Sequence, residues 1–175
     1  LLAHGARPGP GPHGLTLVEA AVIAGQPRFV KLLLDYSCPA GRSILLCSNS
    51  GNHEIASLLL AGGVSPNLTS IPTRDTALSI AVRKRHDRVA DLLVAHGANT
   101  TLSIPEGQSL FHLTVATACH RTLKCLLDAG ADPNAPFALP VSPAFLKQVR
   151  PGVMRWILKM DRGATPLMMA ADSGN

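Results

Sequence analysis

Aromatic residues are scarce in this chain of 175 residues: Phe, Tyr and Trp make up 3%, and charged residues only 15%. A domain built around one large core leans on aromatic volume. Here the interior must instead be filled by Leu, Ala, Val and Ile, within a hydrophobic content of 46%. Long apolar runs are lacking too. The longest, Leu15 to Ile23, is broken by Glu19 and followed by Gly25, Pro27 and Arg28, well short of the roughly 20 residues that cross a bilayer. No long stretch is dominated by Gly, Pro or charge, which excludes collagen, coiled coil and disorder for the chain as a whole. Cys38, Cys47, Cys119 and Cys125 show no C-x-x-C spacing. They read as reduced packing residues rather than metal ligands, and this places the protein inside the cell, in cytoplasm or nucleus. The opening Leu1-Leu2-Ala3-His4-Gly5-Ala6 reads as the tail of a helix running into a Gly stop, and both ends read as cut from a longer protein.

What the chain does have is a repeat. Four segments align without gaps: AVIAGQPRFVKLLLDYS (21–37), CSNSGNHEIASLLLAGG (47–63), AVRKRHDRVADLLVAHG (81–97) and TVATACHRTLKCLLDAG (114–130). Each follows a start signal, at Thr16-Leu17-Val18, Arg42-Ser43-Ile44, Thr76-Ala77-Leu78 and Ser109-Leu110-Phe111, with a further start at Thr165-Pro166-Leu167. These starts lie 26, 34, 33 and 56 residues apart, and Ser142-Pro143-Ala144-Phe145 divides the last step into 33 and 23. The period is therefore 33 with two shortened joints, at 35–41 and 161–164.

Each unit reads as two short antiparallel helices. Ser or Thr before the first helix caps its free N–H groups, and Pro143 and Pro166 suit the first helical position. Gly25, Gly51 and Gly152 can make the turn between the helices. Apolar residues at helical spacing, such as Phe29, Val30, Leu33 and Leu34, mark the second helix. Gly63, Gly97 and Gly130 stand where a left-handed residue ends it. A single pair cannot bury its own apolar faces, so the units must stack.

These residues resemble the ankyrin repeat, in which a Thr-Pro-Leu-His start, an Ala-Ala pair and a Leu-Leu-x-x-Gly-Ala-Asp ending recur. Thr165-Pro166-Leu167 with Ala170-Ala171, and Leu126-Leu127-Asp128-Ala129-Gly130-Ala131-Asp132 with Asn134, lie close to that pattern. The resemblance covers essentially the whole chain. It implies an all-α solenoid: a partial repeat at 1–13, repeats starting near 14, 40, 74, 107 and 140, and a partial repeat at 161–175. The chain also departs from the pattern. Only His112 holds the family's His position, with Glu19, Leu45, Ser79, Phe145 and Met168 elsewhere; Arg85 and Ala118 replace the interhelical Gly.

Other motifs dissolve on inspection. Gly9-Pro10-Gly11-Pro12-His13-Gly14 matches G-x-G-x-x-G, but no strand precedes it and two prolines remove N–H donors, so it is a linker. Asn67-Leu68-Thr69 and Asn99-Thr100-Thr101 match the glycosylation sequon yet fall in the family's hairpin loops without an export signal. His112 or His120 with Cys119 has no orienting or oxyanion partner. The net charge of +5 is spread over solvated helix faces too thinly for nucleic-acid binding, which needs a dense basic face.

No convergent acid, base and nucleophile set is present, so the chain reads as non-catalytic, with no cofactor and no metal. The resemblance implies protein–protein recognition, as a scaffold or adaptor segment, through the concave face and hairpin loops. An acidic protein surface is the preferred partner. The alternative is a regulatory or substrate-docking segment of a larger kinase, ubiquitin ligase or channel. The residues expected to touch a partner are Thr73, Asp75, Arg83, Lys84, Glu106, Gln108, Thr117 and Arg150.

Overall fold

The computed structural model describes residues 14–135 and 140–149. The expected partial repeats at 1–13 and 161–175, the turn at Gly152, the joint at 161–164 and Arg150 lie outside the described residues. Among those described, the elements in chain order are α1 (Leu17–Ile23), α2 (Pro27–Asp35), α3 (Ser43–Ser50), α4 (His53–Ala61), α5 (Ala77–Arg83), α6 (Asp87–Ala95), α7 (Leu110–Thr117), α8 (His120–Asp128) and α9 (Pro143–Leu146). The fold is an all-α solenoid of helix pairs in two layers. First helices α1, α3, α5 and α7 pack in one row, second helices α2, α4, α6 and α8 in the other, and each pair is closed by its own internal contact.

Local chemistry sets these boundaries. Thr16 and Glu19 form a reciprocal capping box at α1, while Thr76, Ser109 and Ser142 accept the backbone N–H three residues on at α5, α7 and α9. This satisfies donors that a short helix would otherwise leave orphaned. Asn52 does the same at α4, and Pro27 opens α2. The turns inside the pairs need a left-handed residue. Gly25 and Gly51 supply it without strain, whereas Arg85 and Ala118 adopt it at φ 62° and 56° despite their Cβ atoms. Ser37, at φ 54°, likewise stands where Gly63 ends a later second helix. Each such residue stores about 1–2 kcal/mol of strain.

Small side chains let the first helices approach. Ala77, Ala81 and Cys47 are fully buried, and every residue of α7 is buried. Three of the hydroxyls trapped this way bond inside their own helices, Ser48 Oγ to the Ile44 carbonyl and Thr114 and Thr117 Oγ1 to those of Leu110 and Leu113, each at 2.9 Å. These three are thereby satisfied without interrupting the stack, whereas the equally buried Ser43 Oγ has no hydrogen-bond partner among the described residues. Phe29 and Leu17, in the first described pair, are exposed, although their register equivalents Ile55, Val89 and Thr122, and Ser43, Ala77 and Leu110, are buried.

Between repeats the chain projects hairpins on the first-helix side. Residues 62–76 and 96–109 each carry a single antiparallel bridge, Thr69 to Thr76 and Ser103 to Ser109. The connection 36–42 between α2 and α3 carries none. There the backbone turns through Gly41 at φ 54°, close enough to Glu19 that a Cβ would lie 2.9 Å from its carboxylate oxygen.

Candidate functional site

The first-helix face is built from side chains that tie one repeat to the next. In α1, Glu19 is buried; its carboxylate accepts the N–H of Thr16 at 2.8 Å and that of Arg42, in the next repeat, at 2.7 Å. Burial pushes its pKa up, but these two N–H bonds and the Arg42 guanidinium outweigh it and hold the carboxyl below its ordinary value. His112 takes the equivalent place in α7. It bonds Ser109 Oγ at 2.5 Å and the backbone of Ala135 in the following loop, and burial depresses its pKa to about 4. It is thus a neutral imidazole at pH 7. Leu45, at the same register in α3, is apolar and makes no such link.

A second tie joins three repeats. Arg83, in the last turn of α5, donates to both Glu106 oxygens at 2.6 and 3.2 Å, and to Asp75 Oδ1 at 2.7 Å. Ser79 Oγ donates to the same Asp75 oxygen at 3.2 Å, and Gln148 Nε2, beyond α9, to Glu106 at 3.1 Å. Burial pulls the Arg83 pKa down, yet the hydrogen bond it donates to Glu106 and the charges of both carboxylates raise it overall. Burial likewise raises Glu106, and its bonds to Arg83 reverse this, leaving the carboxyl below its ordinary value. The cluster pins the 96–109 hairpin to α5 on one side and to the α9 repeat on the other.

Three of the residues expected to meet a partner, Asp75, Arg83 and Glu106, are therefore brought together, but facing one another. Lys84 and Thr73 are exposed. Gln108 and Thr117, expected on the same surface, are only 1% and 4% exposed. Both are buried: Thr117 ends α7, which packs against α5 and α8, and its hydroxyl is spent on the Leu113 carbonyl and the Cys119 thiol, while Gln108 lies in the 96–109 hairpin, where its carbonyl accepts the Ile104 N–H at 2.8 Å. Both leave the recognition set. Arg150 lies outside the described residues.

Residue-by-residue reading missed the apolar part of this face. A groove of about 410 Å³ runs past α1, α3 and α5, floored by Leu15, Leu45, Leu46 and Ile80 and edged by Arg42, Asn49, Ser70 and Lys84. It opens where 36–42 projects no hairpin. The signal for it was the short joint combined with Leu45 at a position that is polar in the repeats on either side. Beyond the 62–76 hairpin lies a second cleft of about 490 Å³ with Ile71, Arg74, Leu102 and Pro105 on its walls. Ile71 is 88% exposed.

The remaining candidates have structural work. Asn67 of the first sequon donates to the Gly97 carbonyl at 3.2 Å and accepts the Asn99 N–H at 2.7 Å, stitching adjacent repeats. Burial raises the Cys47 thiol to about 12 and that of Cys119 to about 11, so neither is a thiolate nucleophile at neutral pH. Among the described residues no cluster of His, Cys, Asp or Glu could hold a metal, and no helix is long and apolar enough to cross a membrane.

Stacked helix pairs joined by hairpins define a repeat protein whose surface is a row of loop tips and helix faces. The family profile for ankyrin repeats, in three copies, matches residues 43–136, and the chain belongs to the ankyrin-repeat family. It is 29% identical over 127 residues to the ankyrin repeat and KH domain-containing protein mask-1 of Caenorhabditis elegans, covering 68% of this chain and 5% of that protein. Over 92 residues it is 33% identical to the putative ankyrin repeat protein FPV031 of Fowlpox virus (strain NVSL), covering 52% of this chain and 27% of that one. Protein PhlB of Serratia liquefaciens is 36% identical over 124 residues, 66% of this chain and 53% of its own length. The chain thus spans only a small part of the first two relatives and about half of the third.

Proposed function

We propose that this chain is a non-catalytic recognition segment that binds another protein through its first-helix face and hairpin tips, as a scaffold or adaptor. The observation that carries this reading is the placement of Ile71. A β-branched apolar side chain stands almost fully in water at a hairpin tip, beside a cleft that also holds the exposed Leu102. Contiguous apolar surface rimmed by polar groups marks interaction sites. Arg74 lines the same cleft and the exposed Thr73 stands beside it in the hairpin; Lys84 edges the neighbouring groove, and Asp75, Arg83 and Glu106 serve by holding the hairpins rigid, which lowers the ordering cost of association. The basic residues on this side, Arg42, Arg74 and Lys84, favour a partner with acidic groups.

Ile71→Ser with Leu102→Ser tests the reading by affinity capture and cross-linking against the untreated chain. The expected result is loss of the captured partner with an unchanged melting curve, because neither side chain is in the core. Arg88→Ser with Lys124→Ser, on second helices α6 and α8, is the control. Capture that survives the first pair and fails with the control would place recognition on the opposite layer. Arg83 and Glu106 are unsuitable for this test, since altering them also loosens the stack.

A further inference from the structure

The groove beside α3 differs in kind from the hairpin-tip cleft, and its shape follows from two departures within one repeat. The 36–42 connection projects no hairpin to cover the inner ends of α1 and α3. Leu45 replaces the polar side chain that Glu19, Ser79 and His112 supply at this register. The result is an apolar floor of Leu15, Leu45, Leu46 and Ile80, with the 62–76 hairpin as one wall at Ser70 and Asp75.

The charges around this floor are not balanced. Both lining carboxylates are used within the chain, Glu19 by the Thr16 and Arg42 N–H groups and Asp75 by Arg83 and Ser79. Of the two outward cations, Lys84 is exposed and unpaired among the described residues, and Arg42, paired with Glu19 at 3.5 Å through Nε, still turns most of its side chain to water, being 64% exposed. An occupant that matches this site has an apolar side chain for the floor and carboxylates for the rim.

We infer that the groove seats an extended acidic segment of a partner protein, which buries one aliphatic side chain between Leu45, Leu46 and Ile80 and sets flanking carboxylates against Arg42 and Lys84. The inference rests on the first-helix-face reading and narrows it to one site and one ligand chemistry.

The test uses three synthetic peptides titrated into isotope-labelled chain and followed by backbone amide shifts. They are N-acetyl-Glu-Asp-Leu-Asp-Glu-amide, the same peptide with Ala for Leu, and the same peptide with Gln and Asn for every acid. The leucine-containing acidic peptide should shift the amides of Leu45, Leu46, Ile80 and Lys84. Affinity should fall about tenfold on loss of the buried leucine side chain, and about three- to fivefold on loss of the carboxylates, since exposed ion pairs contribute little each. Arg42→Gln with Lys84→Gln should weaken the acidic peptide by the same three- to fivefold and leave the amide peptide unaffected, the second result showing that the groove is intact. Equal binding of acidic and amide peptides would overturn the inference, as would no binding of any peptide. Self-association of the chain through the groove, seen as concentration-dependent shifts of these amides without peptide, would also overturn it. Shifts confined to Ile71 and Leu102 would refute the groove while leaving the first-helix face as the recognition surface. Shifts confined to α2, α4 and α6 would refute both.

Discussion

Replacing Glu106 by Gln removes one negative charge from the Arg83 cluster while keeping the shape of the side chain. Breaking a buried ion pair costs about 3–5 kcal/mol when the surviving charge is left alone. Arg83 would not be left alone, because Asp75 stays at 2.7 Å and the Arg83 side chain keeps 20% of its exposure to water. The loss should therefore approach that of a hydrogen bond to a charged group, about 1.5–3 kcal/mol. Arg83→Met should cost more, about 3–5 kcal/mol, because it faces two poorly hydrated carboxylates with no cation. Urea unfolding followed by far-UV circular dichroism at pH 7 measures both. The pH dependence supplies a separate check. Glu106 has a depressed folded pKa, so its contribution is complete above its unfolded value of about 4.5 and is lost as pH falls through the lower folded value. The gap between wild type and Glu106→Gln should be constant from pH 7 to 5 and shrink below about pH 4.5. A gap under about 0.5 kcal/mol at pH 7, the size of an ordinary surface substitution, or one that does not shrink in acid, would refute the view that this cluster clamps the repeats.

His112 predicts a second pH effect, of opposite origin. It is neutral in the fold with a pKa near 4 but titrates at 6.5 in the unfolded chain, so the unfolded state binds the proton first and stability declines as pH falls from 6.5 to 4. The full loss is about 3 kcal/mol, and His112→Gln should flatten that slope in urea midpoints measured between pH 7.5 and 4.5. Relieving left-handed strain with Ala118→Gly or Arg85→Gly should stabilise by about 0.5–1 kcal/mol each, the released strain being partly offset by the entropy of the unfolded glycine; a melting temperature that falls would contradict this. In thiol labelling of the native chain, half-buried Cys125 should react first, and Cys47 and Cys119 only as fast as the chain opens. Rapid, complete labelling of Cys47 would show that the first-helix row is not closed.

The helix pairs were readable because their causes are local. A capping Thr or Ser, apolar residues three and four apart and a terminating Gly act within a few residues of one another, and they recur with a period that noise does not imitate. Even the strained turns were legible, since Arg85 and Ala118 occupy aligned glycine positions and do adopt positive φ. The recognition face was readable only in part. Gln108 and Thr117 are polar residues in plausible places, and nothing nearby in sequence signals that both are buried. Arg83 and Glu106 are 23 residues apart, and spacing of that length says nothing about whether two charges face water or each other.

From the amino-acid sequence alone came the family, the all-α layering, the register of the stack and the shortened joint at 35–41, all of which depend on short-range pattern multiplied by repetition. Tertiary structure decided which polar side chains are available. Stacking places the same register position against a different neighbour in each repeat, so Glu19 and His112 become ties between repeats while Leu45 becomes the floor of a groove. Burial then converts three charges into a clamp and leaves Lys84 and Arg42 at the rim, because only the folded chain determines which groups have exchanged water for one another.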